Sequence, residues 1–273
     1  MGDRFGLLTE VQIAARIARV RVRGQMQYRA SFAMQIAGTF IVNFAELAAL
    51  LVMFGRFDNL GGWRLGEVVF LYGLSAIMFG LADTAAGGLG TFNGLIRLGD
   101  FDRVLTRPVA PFLQALVSDV SLRHIGQMVQ GIVVFVFALT LVDVPWDAAR
   151  LLYFFVVIVS GAVLFVSLFA IEAIVCFWTV ESTEAVNAFT YGGSDLAQYP
   201  LHIFDRWLRR LFLWVIPVGF VSFFPALYLL DKPDPLGLPE AARFAAPLAA
   251  LAFAGVTGVL WRLGVNHYRS TGS

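Results

Sequence analysis

Lysine is almost absent from this chain, and charge of either sign is scarce. Of its 20 lysine and arginine residues, Lys232 is the only lysine, and charged residues make up 14% of the sequence. A soluble domain averages roughly 25%. A phosphate-binding loop ends in lysine beside Ser or Thr, whereas this lysine stands in "DKPDP". We therefore expect the chain itself not to hydrolyse nucleotide.

Cysteine and histidine are also rare. The one cysteine, Cys176, lies inside an apolar run, which excludes a disulfide framework and a thiolate metal cluster within the chain. His124, His202 and His267 are far apart and show no His-Glu-x-x-His pattern. We assign no catalytic residue, no metal site and no cofactor to this chain. The arginines are scattered between apolar runs, which disfavours a nucleic-acid surface.

Long apolar runs dominate what is present. Hydrophobic residues make up 59% of the chain and the mean hydropathy is +0.76, against roughly 45–50% apolar residues in soluble domains. A membrane-spanning helix needs about 20 mostly apolar residues. Five stretches qualify: 31–54, 66–90, 124–142, 150–178 and 242–262. The composition therefore predicts an all-α integral membrane protein, in which residues 1–273 form a single transmembrane domain.

A sixth membrane segment lies between residues 183 and 230, and its position is ambiguous. Residues 183–205 are only half apolar, while residues 207–230 are apolar but contain Pro217 and Pro225. Either 207–230 is the fifth span, or 183–205 is a short fifth span and 207–230 folds back as a re-entrant element. Both alternatives leave six segments before the C-terminus.

The distribution of basic residues predicts the orientation, since cytoplasmic loops are enriched in them. If the N-terminus is inside, twelve basic residues lie on the inner side: six in 1–29, four in the 91–123 loop, and Arg262 and Arg269 at the C-terminal end. Five then lie on the outer side. Arg206, Arg209 and Arg210 stay unassigned. We expect a multi-pass membrane protein with both termini in the cytoplasm.

The N-terminal stretch "EVQIAARIARVRVRG" predicts an amphipathic helix at the inner membrane surface. Gln12, Arg16, Arg19 and Arg23 fall on one side of a helix, spaced four, three and four residues apart. A basic stripe on an apolar helix suits anionic lipid headgroups. It is either an anchor for the first span or a docking element, and the two roles are compatible.

Three acidic residues lie inside or near the ends of apolar runs, namely Glu46, Asp83 and Glu172. A charge in hydrocarbon is costly, so such residues face protein or water. They either line a pathway through the membrane or lock helices together. A proton relay through them would make the chain a secondary carrier driven by an ion gradient.

The loop 91–123 contains the charged, proline-closed segment "RLGDFDRVLTRP". We expect one helix of a few turns with Leu95, Leu98, Phe101 or Leu105 along an apolar edge. Asp102 and Arg103 would be exposed, and Pro108 and Pro111 would end the helix. Such an amphipathic segment fits a groove on a soluble partner; the alternative is an ordinary connector between spans.

This segment resembles the intracellular loop of ABC-2-type exporter permeases, and more narrowly a bacterial branch with the pattern Leu-Gly-x-Phe-Asp-x-x-Leu-x-Arg-Pro. Two further stretches resemble the same branch. They are "YPLHIFDRWLRRLFLWVIPVGFVSFFPA" (199–226) and "NHYRSTGS" (266–273). The likeness covers essentially the whole chain. The residues that match the loop pattern are Leu98, Gly99, Phe101, Asp102, Leu105, Arg107 and Pro108.

The resemblance implies more than composition does. It implies six transmembrane helices, a cytoplasmic connecting helix over 7–28, and an outer re-entrant element before the last span. It thereby favours a short fifth span at 183–205 followed by a re-entrant element at 207–230. The three arginines at 206–210 disfavour this alternative, because it places them on the outer side. Two permeases, identical or different, would pair, and each would dock on a separate ABC ATPase that holds ATP and Mg²⁺. The residues implied to contact this ATPase are Leu98, Gly99, Asp100, Phe101, Asp102, Arg103, Leu105, Arg107 and Pro108.

The function that we expect is therefore export of a small, hydrophobic or amphipathic substrate, driven by the partner's ATP hydrolysis. The alternatives are the secondary carrier and, less favoured, a membrane-embedded enzyme, for which the sequence shows no nucleophile and base. The sequence does not distinguish export from lipid flipping.

Overall fold

A computed structural model describes residues 29–119, 123–179 and 183–268, together with residues 12, 13, 15, 16, 19, 20 and 24. Within these residues the chain is all-α: its only β-type pairing is an isolated bridge between Leu60 and Trp63. The apolar runs explain this, because backbone polar groups in a bilayer must find partners within their own helix.

Among the described residues, most of the longer helices occupy the predicted apolar stretches, and the one at Thr183–Ala197 lies in the half-apolar stretch 183–205. In chain order they are α1 (Arg29–Phe54), α2 (Leu65–Gly90), α6 (Arg123–Ala138), α7 (Ala148–Val175), α8 (Thr183–Ala197) and α12 (Ala246–His267). Short helices fill the connections: α3 (Phe92–Arg97), α4 (Phe101–Thr106), α5 (Pro111–Leu116), α9 (Arg206–Arg210, continued as a π-helix over Leu211–Val215), α10 (Val218–Val221) and α11 (Phe223–Leu229). Single 3₁₀ turns cover Leu201–Ile203 and Glu240–Phe244.

Helix α2 is the centre of the bundle. Its apolar residues are buried along nearly its whole length, and it packs on both α6 and α7. Glycines allow this close approach: a Cβ atom at Gly73 would lie 2.7 Å from the backbone of Phe135, and one at Gly80 would lie 2.8 Å from that of Met128. Small residues at membrane helix contacts let backbones pack closely in this way.

Three described helices are long and apolar enough to cross a membrane: α2 with its extension to Arg97, α7 and α12. A fourth span results if the segments Arg206–Val215 and Val218–Leu229 are counted as one span, although the chain bends by 71° between them. Helices α1 and α6 contribute shorter apolar segments, Phe40–Phe54 and Ile125–Ala138. The predicted count of six spans therefore stays a prediction.

The bent pair α9–α11 is tied at both ends to one loop. Before it, the ring of His202 lies 2.7 Å from the carbonyl oxygen of Gly61 through Nε2. After it, Lys232 donates to the carbonyl oxygen of Gly62 at 3.3 Å. The bend falls at Pro217, which has no N–H to continue a helix ladder. Both ends of the pair thus contact the loop 55–64.

An ion pair fastens the same region to the start of α2. Lys232 contacts both carboxylate oxygens of Glu67, at 2.7 and 2.8 Å. Its ammonium also lies 5.2 Å from the centre of the Trp63 ring, within the range of a cation–π contact. Since Glu67 also accepts from the backbone N–H of Arg64 at 2.7 Å, it caps α2 and holds the lysine at once. We call this end of the bundle the loop end.

Candidate coupling surface and intramembrane polar cavity

The segment between α2 and α6 forms a compact unit at the other end of α2, which we call the knob (residues 92–116). The predicted single helix is wrong: α3 and α4 are separate, and the chain turns between them at Gly99 with φ +71°. Only glycine adopts this left-handed conformation without strain. Pro111 does not end a helix but begins α5, where its missing N–H is not needed.

The outer side of the knob combines apolar and basic side chains. Leu98 is 72% exposed and Leu105 is 41% exposed. The side chain of Arg103 is 81% exposed and pairs with Asp100 at 3.2 Å. The neighbouring Arg97, Arg107 and Pro108 are exposed as well. The predicted apolar edge is present at Leu98 and Leu105, but Phe101 turns inward and is fully buried.

The inner side of the knob is held by six aromatic rings, which we call the aromatic clamp. Its members are Phe92, Phe101, Phe112, Phe177, Trp261 and Tyr268. Phe101 contacts Phe177 with ring centres 5.4 Å apart and Tyr268 at 5.0 Å. Trp261 lies 5.5 Å from Phe92. Because Phe177 follows α7 and Trp261 lies on α12, the clamp joins the knob to the ends of two long helices.

Asp102 is not on the exposed side as predicted; it is half-buried near the end of α12. Burial raises the pKa of the Tyr268 hydroxyl above its usual value, and the neighbouring Asp102 carboxylate raises it further. A raised pKa favours the neutral hydroxyl, which lies close to the Asp102 carboxylate. Asp102 thus contributes to the clamp rather than to a free charged surface.

A buried glutamine fixes the second half of the knob. The amide nitrogen of Gln114 donates to the carbonyl oxygens of Val104, at 3.0 Å, and Val109, at 2.7 Å. These carbonyls lie at the end of α4 and in the following turn, so one side chain closes the chain between α4 and α5. The two bonds of the amide nitrogen give this segment one defined conformation, while the Oε1 atom of Gln114 is buried without a hydrogen-bond partner among the described residues.

A polar cavity of about 230 Å³ lies between α1, α2, α6 and α8. Glu46 on α1 and Asp195 on α8 both line it, and the Tyr72 hydroxyl donates to Glu46 at 3.4 Å. The remaining polar residues around it are Gln127, Gln130, Tyr191, Ser194 and Gln198. Glu46, Asp195 and Tyr191 are accessible on the surface of this single chain.

The other two predicted acids do not line this cavity. Glu172 on α7 is 1% exposed, and the Asn187 amide on α8, in the orientation that satisfies both groups, donates to both of its oxygens at 3.0 Å. Asp83 is buried on α2 and is also not among the lining residues. The structure therefore does not bring Glu46, Asp83 and Glu172 together.

The predicted connecting helix lies largely outside the described residues. Gln12, Arg16 and Arg19 are described as helical and exposed, whereas Arg23 is not described. Their assignment to a basic stripe stays a prediction.

The comparison with known families decides the identity. A family model described as "ABC-2 family transporter protein" matches residues 40–272. The chain belongs to the ABC-2 transporter family. No curated protein and no solved structure matches it. The matched range of this ABC-2 permease contains the knob, the clamp and the polar cavity, and permeases of the family typically work with an ABC ATPase.

Sequence reasoning missed several residues of these sites in this ABC-2 permease. Asp195 lies in the half-apolar stretch 183–205, four residues after Tyr191. On a helix this spacing places both side chains on one polar face, and that was the available signal. Phe177, Trp261 and Tyr268 gave no signal, since aromatic residues near the ends of membrane helices are ordinary. Only the fold brings them to the knob.

Proposed function

We propose that this permease is the transmembrane subunit of an exporter whose ATP is hydrolysed by a separate ABC ATPase, and that the exposed side of the knob is where the ATPase docks. One observation carries the proposal. The knob presents Leu98, Leu105 and Arg103 outward, while its inner side is fixed to α7 and α12 by the aromatic clamp. An ordinary connector has no need for both.

The clamp supports a mechanical role for the knob. Phe92 and Phe101 are fully buried, and their ring centres lie 5.3 Å apart. The Phe177 ring centre lies 5.4 Å from each of them, and that of Trp261 lies 5.5 Å from Phe92. Close-packed interiors transmit displacement because they contain few voids to absorb it. When two ATPase subunits close on ATP, movement of the knob is therefore passed to α7 and α12.

The polar cavity supports a pairing of two permease chains. Glu46 and Asp195 are accessible on one chain, on helices that the proposal places in the membrane. Contact of a carboxylate with lipid costs about 2.5–3.5 kcal/mol on insertion scales. Protein or water must cover this face. A second permease, identical or related, covers it in our proposal, and the substrate path runs between the two.

The contacts of the bent pair support the re-entrant alternative for 206–229. A segment whose two ends contact the same loop, at Gly61 and Gly62, leaves on the side from which it entered. Helix α8 is then the fifth span, although with 15 residues it is short. In this arrangement the loop end faces outward, and the knob and both termini face the cytoplasm of a bacterial plasma membrane.

The proposal is tested by substitution on the knob. We expect the ATPase subunit to copurify with this permease from mild detergent, and Leu98→Glu to reduce its recovery at least about tenfold, as loss of a binding contact worth about 1.4 kcal/mol would. Phe57→Glu is the matched control, because Phe57 is 62% exposed at the loop end.

Equal recovery of the ATPase with both variants would contradict docking at the knob. A gradient-driven secondary carrier predicts that no ATPase copurifies and that flux in vesicles follows an ion gradient without ATP. We expect ATP-dependent outward movement of a small, hydrophobic or amphipathic substrate instead.

A further inference from the structure

A long apolar groove follows the seam between α7 and α12. It consists of two adjoining cavities of about 990 and 380 Å³, which share Val159 and Val163. Along α12 its lining extends from Pro247 to Asn266. At about 1.5 Å per residue this is roughly 28 Å, close to the thickness of the hydrocarbon core. The groove is therefore long enough for an extended lipid chain.

The walls of the groove offer no free hydroxyl groups. Ser160 and Ser167 on α7 donate to the backbone carbonyls of Val156 and Val163, at 2.7 and 2.8 Å. Thr257 on α12 donates to the carbonyl of Phe253 at 2.9 Å. Hydroxyls bound to the preceding turn of their own helix are already satisfied. An occupant thus meets an apolar surface along the groove.

Charge is present at one end only. Arg262 lines the larger cavity next to Asn266, and no carboxylate is among the lining residues. Within the part of the chain that the structure describes, no ion pair involves Arg262. A guanidinium is a good partner for phosphate because its planar N–H groups match the phosphate oxygens. The groove therefore combines a long apolar channel with one cationic end.

The groove is separate from the polar cavity. On α2 the cavity is lined by Tyr72, and the groove by Leu81, nine residues later. Nine residues correspond to about 180° around a helix of about 3.6 residues per turn. The two sites thus lie on opposite sides of the central helix, and no lining residue is common to both.

From these observations we infer that the groove binds one anionic phospholipid, with its phosphate on Arg262 and its acyl chains between α7 and α12. Ala110, Pro111 and Phe112 line the same end, so the headgroup lies at the knob. Its placement in the cytoplasmic leaflet rests on the proposed function. Basic pockets between membrane helices on the cytoplasmic side bind anionic headgroups in this way.

The bound lipid contacts the aromatic clamp directly. Phe112 and Trp261 belong to the clamp and also line the groove, with ring centres 5.1 Å apart. An occupied groove supports these rings from the membrane side, so that the knob stays fixed to α12. Anionic lipid is thereby a positive regulator of coupling between the knob and the long helices.

The test measures lipid retained by the intact permease, by native mass spectrometry after titration with phosphatidylglycerol or phosphatidylcholine in mild detergent. We expect one tightly held phosphatidylglycerol per chain. Arg262→Gln should raise the dissociation constant for phosphatidylglycerol about fivefold, as expected for loss of one basic contact. Arg97→Gln, an exposed arginine of the knob that does not line the groove, should leave it unchanged.

A second pair of variants tests the groove itself. A Cβ atom at Gly258 or at Gly255 has no neighbour within 4 Å, so both positions on α12 accept a side chain. Only Gly258 lines the groove. Gly258→Leu should displace the lipid, and Gly255→Leu should retain it.

Three outcomes would overturn the inference. Equal retention by all variants would mean ordinary boundary lipid, and equal binding of phosphatidylcholine would mean that no headgroup is recognised. Loss of a permease dimer with Gly258→Leu, seen in the same spectra, would mean that a second chain fills the groove. Recovery of the ATPase subunit is measured separately, so failure here is distinguishable from failure of the proposed function.

Discussion

At the scale of single residues, the acids within the apolar runs have different surroundings and therefore different roles. Glu172 is almost fully buried, and Asn187 donates to both of its oxygens. Glu46 instead lines a polar cavity with Asp195. A buried carboxylate that accepts from an amide on the neighbouring helix joins the two helices, whereas one that lines a cavity is available to water or substrate. We therefore assign Glu172 to packing between α7 and α8.

Removing the amide partner of Glu172 should destabilise the permease without affecting a pathway. We expect Asn187→Ala to lower the free energy of unfolding by about 1–3 kcal/mol, because the carboxylate loses two donors. The measurement is thermal unfolding in detergent. In the double variant with Glu172→Gln the loss should be smaller, since no charge is then left with fewer partners. Loss of transport at unchanged stability in Glu172→Gln would contradict this assignment.

Sequence alone predicted which acids are unusual, but not what surrounds them. Glu46, Asp83 and Glu172 stand out because each interrupts or borders an apolar run. Their partners come from other helices: Asn187 lies fifteen positions after Glu172, and Asp195 meets Glu46 only through the packing of α8. No local pattern contains such contacts.

At the scale of elements, the aromatic clamp determines whether the knob moves independently. Phe177 contacts four other rings of the clamp, with centres between 5.4 and 6.2 Å. Ring pairs of this kind contribute about 0.5–1.5 kcal/mol each beyond their buried area. This residue is thus the point at which the knob, α7 and α12 are joined.

Phe177→Leu should uncouple the permease while keeping it folded. The leucine preserves most of the apolar burial but loses the ring contacts, so the ATPase subunit should still copurify and hydrolyse ATP. Stimulation of its ATP turnover by transport should fall about tenfold or more, as for loss of about 1.4 kcal/mol of coupling. Phe137→Leu, an exposed ring on α6, is the control. Unchanged stimulation in Phe177→Leu would show that the clamp does not transmit movement.

The long helices could be predicted closely, and the knob could not. The run 66–90 corresponds to α2 (Leu65–Gly90), and 150–178 corresponds to α7 (Ala148–Val175), because apolar length alone defines such helices. In the knob, Gly99 breaks the expected helix and Phe101 turns inward. Its shape depends on rings of α7 and α12 that are distant in the sequence.

At the scale of the whole molecule, the accessible acids indicate which face would meet the second permease of the proposed pair. Tyr191 lies beside Asp195 on α8 and is 48% exposed, whereas Leu248 on α12 is 74% exposed in an apolar setting. Apolar side chains on a membrane helix face lipid without cost, but carboxylates do not. The α1–α8 face should therefore be the interface.

Cross-linking distinguishes these two faces. In a Cys176→Ala background, Tyr191→Cys should form a disulfide-linked permease dimer under oxidising conditions, and Leu248→Cys should not. The readout is a band of doubled mass on a non-reducing gel that disappears on reduction. For a heteromeric exporter, the cysteine is introduced at the facing position of the second permease as well. Dimers only through Leu248→Cys would place the interface on α12.

Composition was sufficient to predict an all-α membrane protein, because 59% hydrophobic residues cannot be buried in a soluble chain of this size. It did not predict the lateral groove or the ends of the bent pair. Lys232 and Glu67 form their ion pair across 165 positions of sequence. Such distant contacts arise only when the helices are packed.

The most direct test of the account is site-specific cross-linking from the knob. In the Cys176→Ala background, Leu98→Cys should become cross-linked to the copurifying ATPase subunit and should react with a membrane-impermeant thiol reagent from the cytoplasmic side. Phe57→Cys at the loop end should react from the outside and form no such cross-link. If Leu98→Cys reacts only from outside the cell, or if no ATPase is captured, the knob is not the coupling surface.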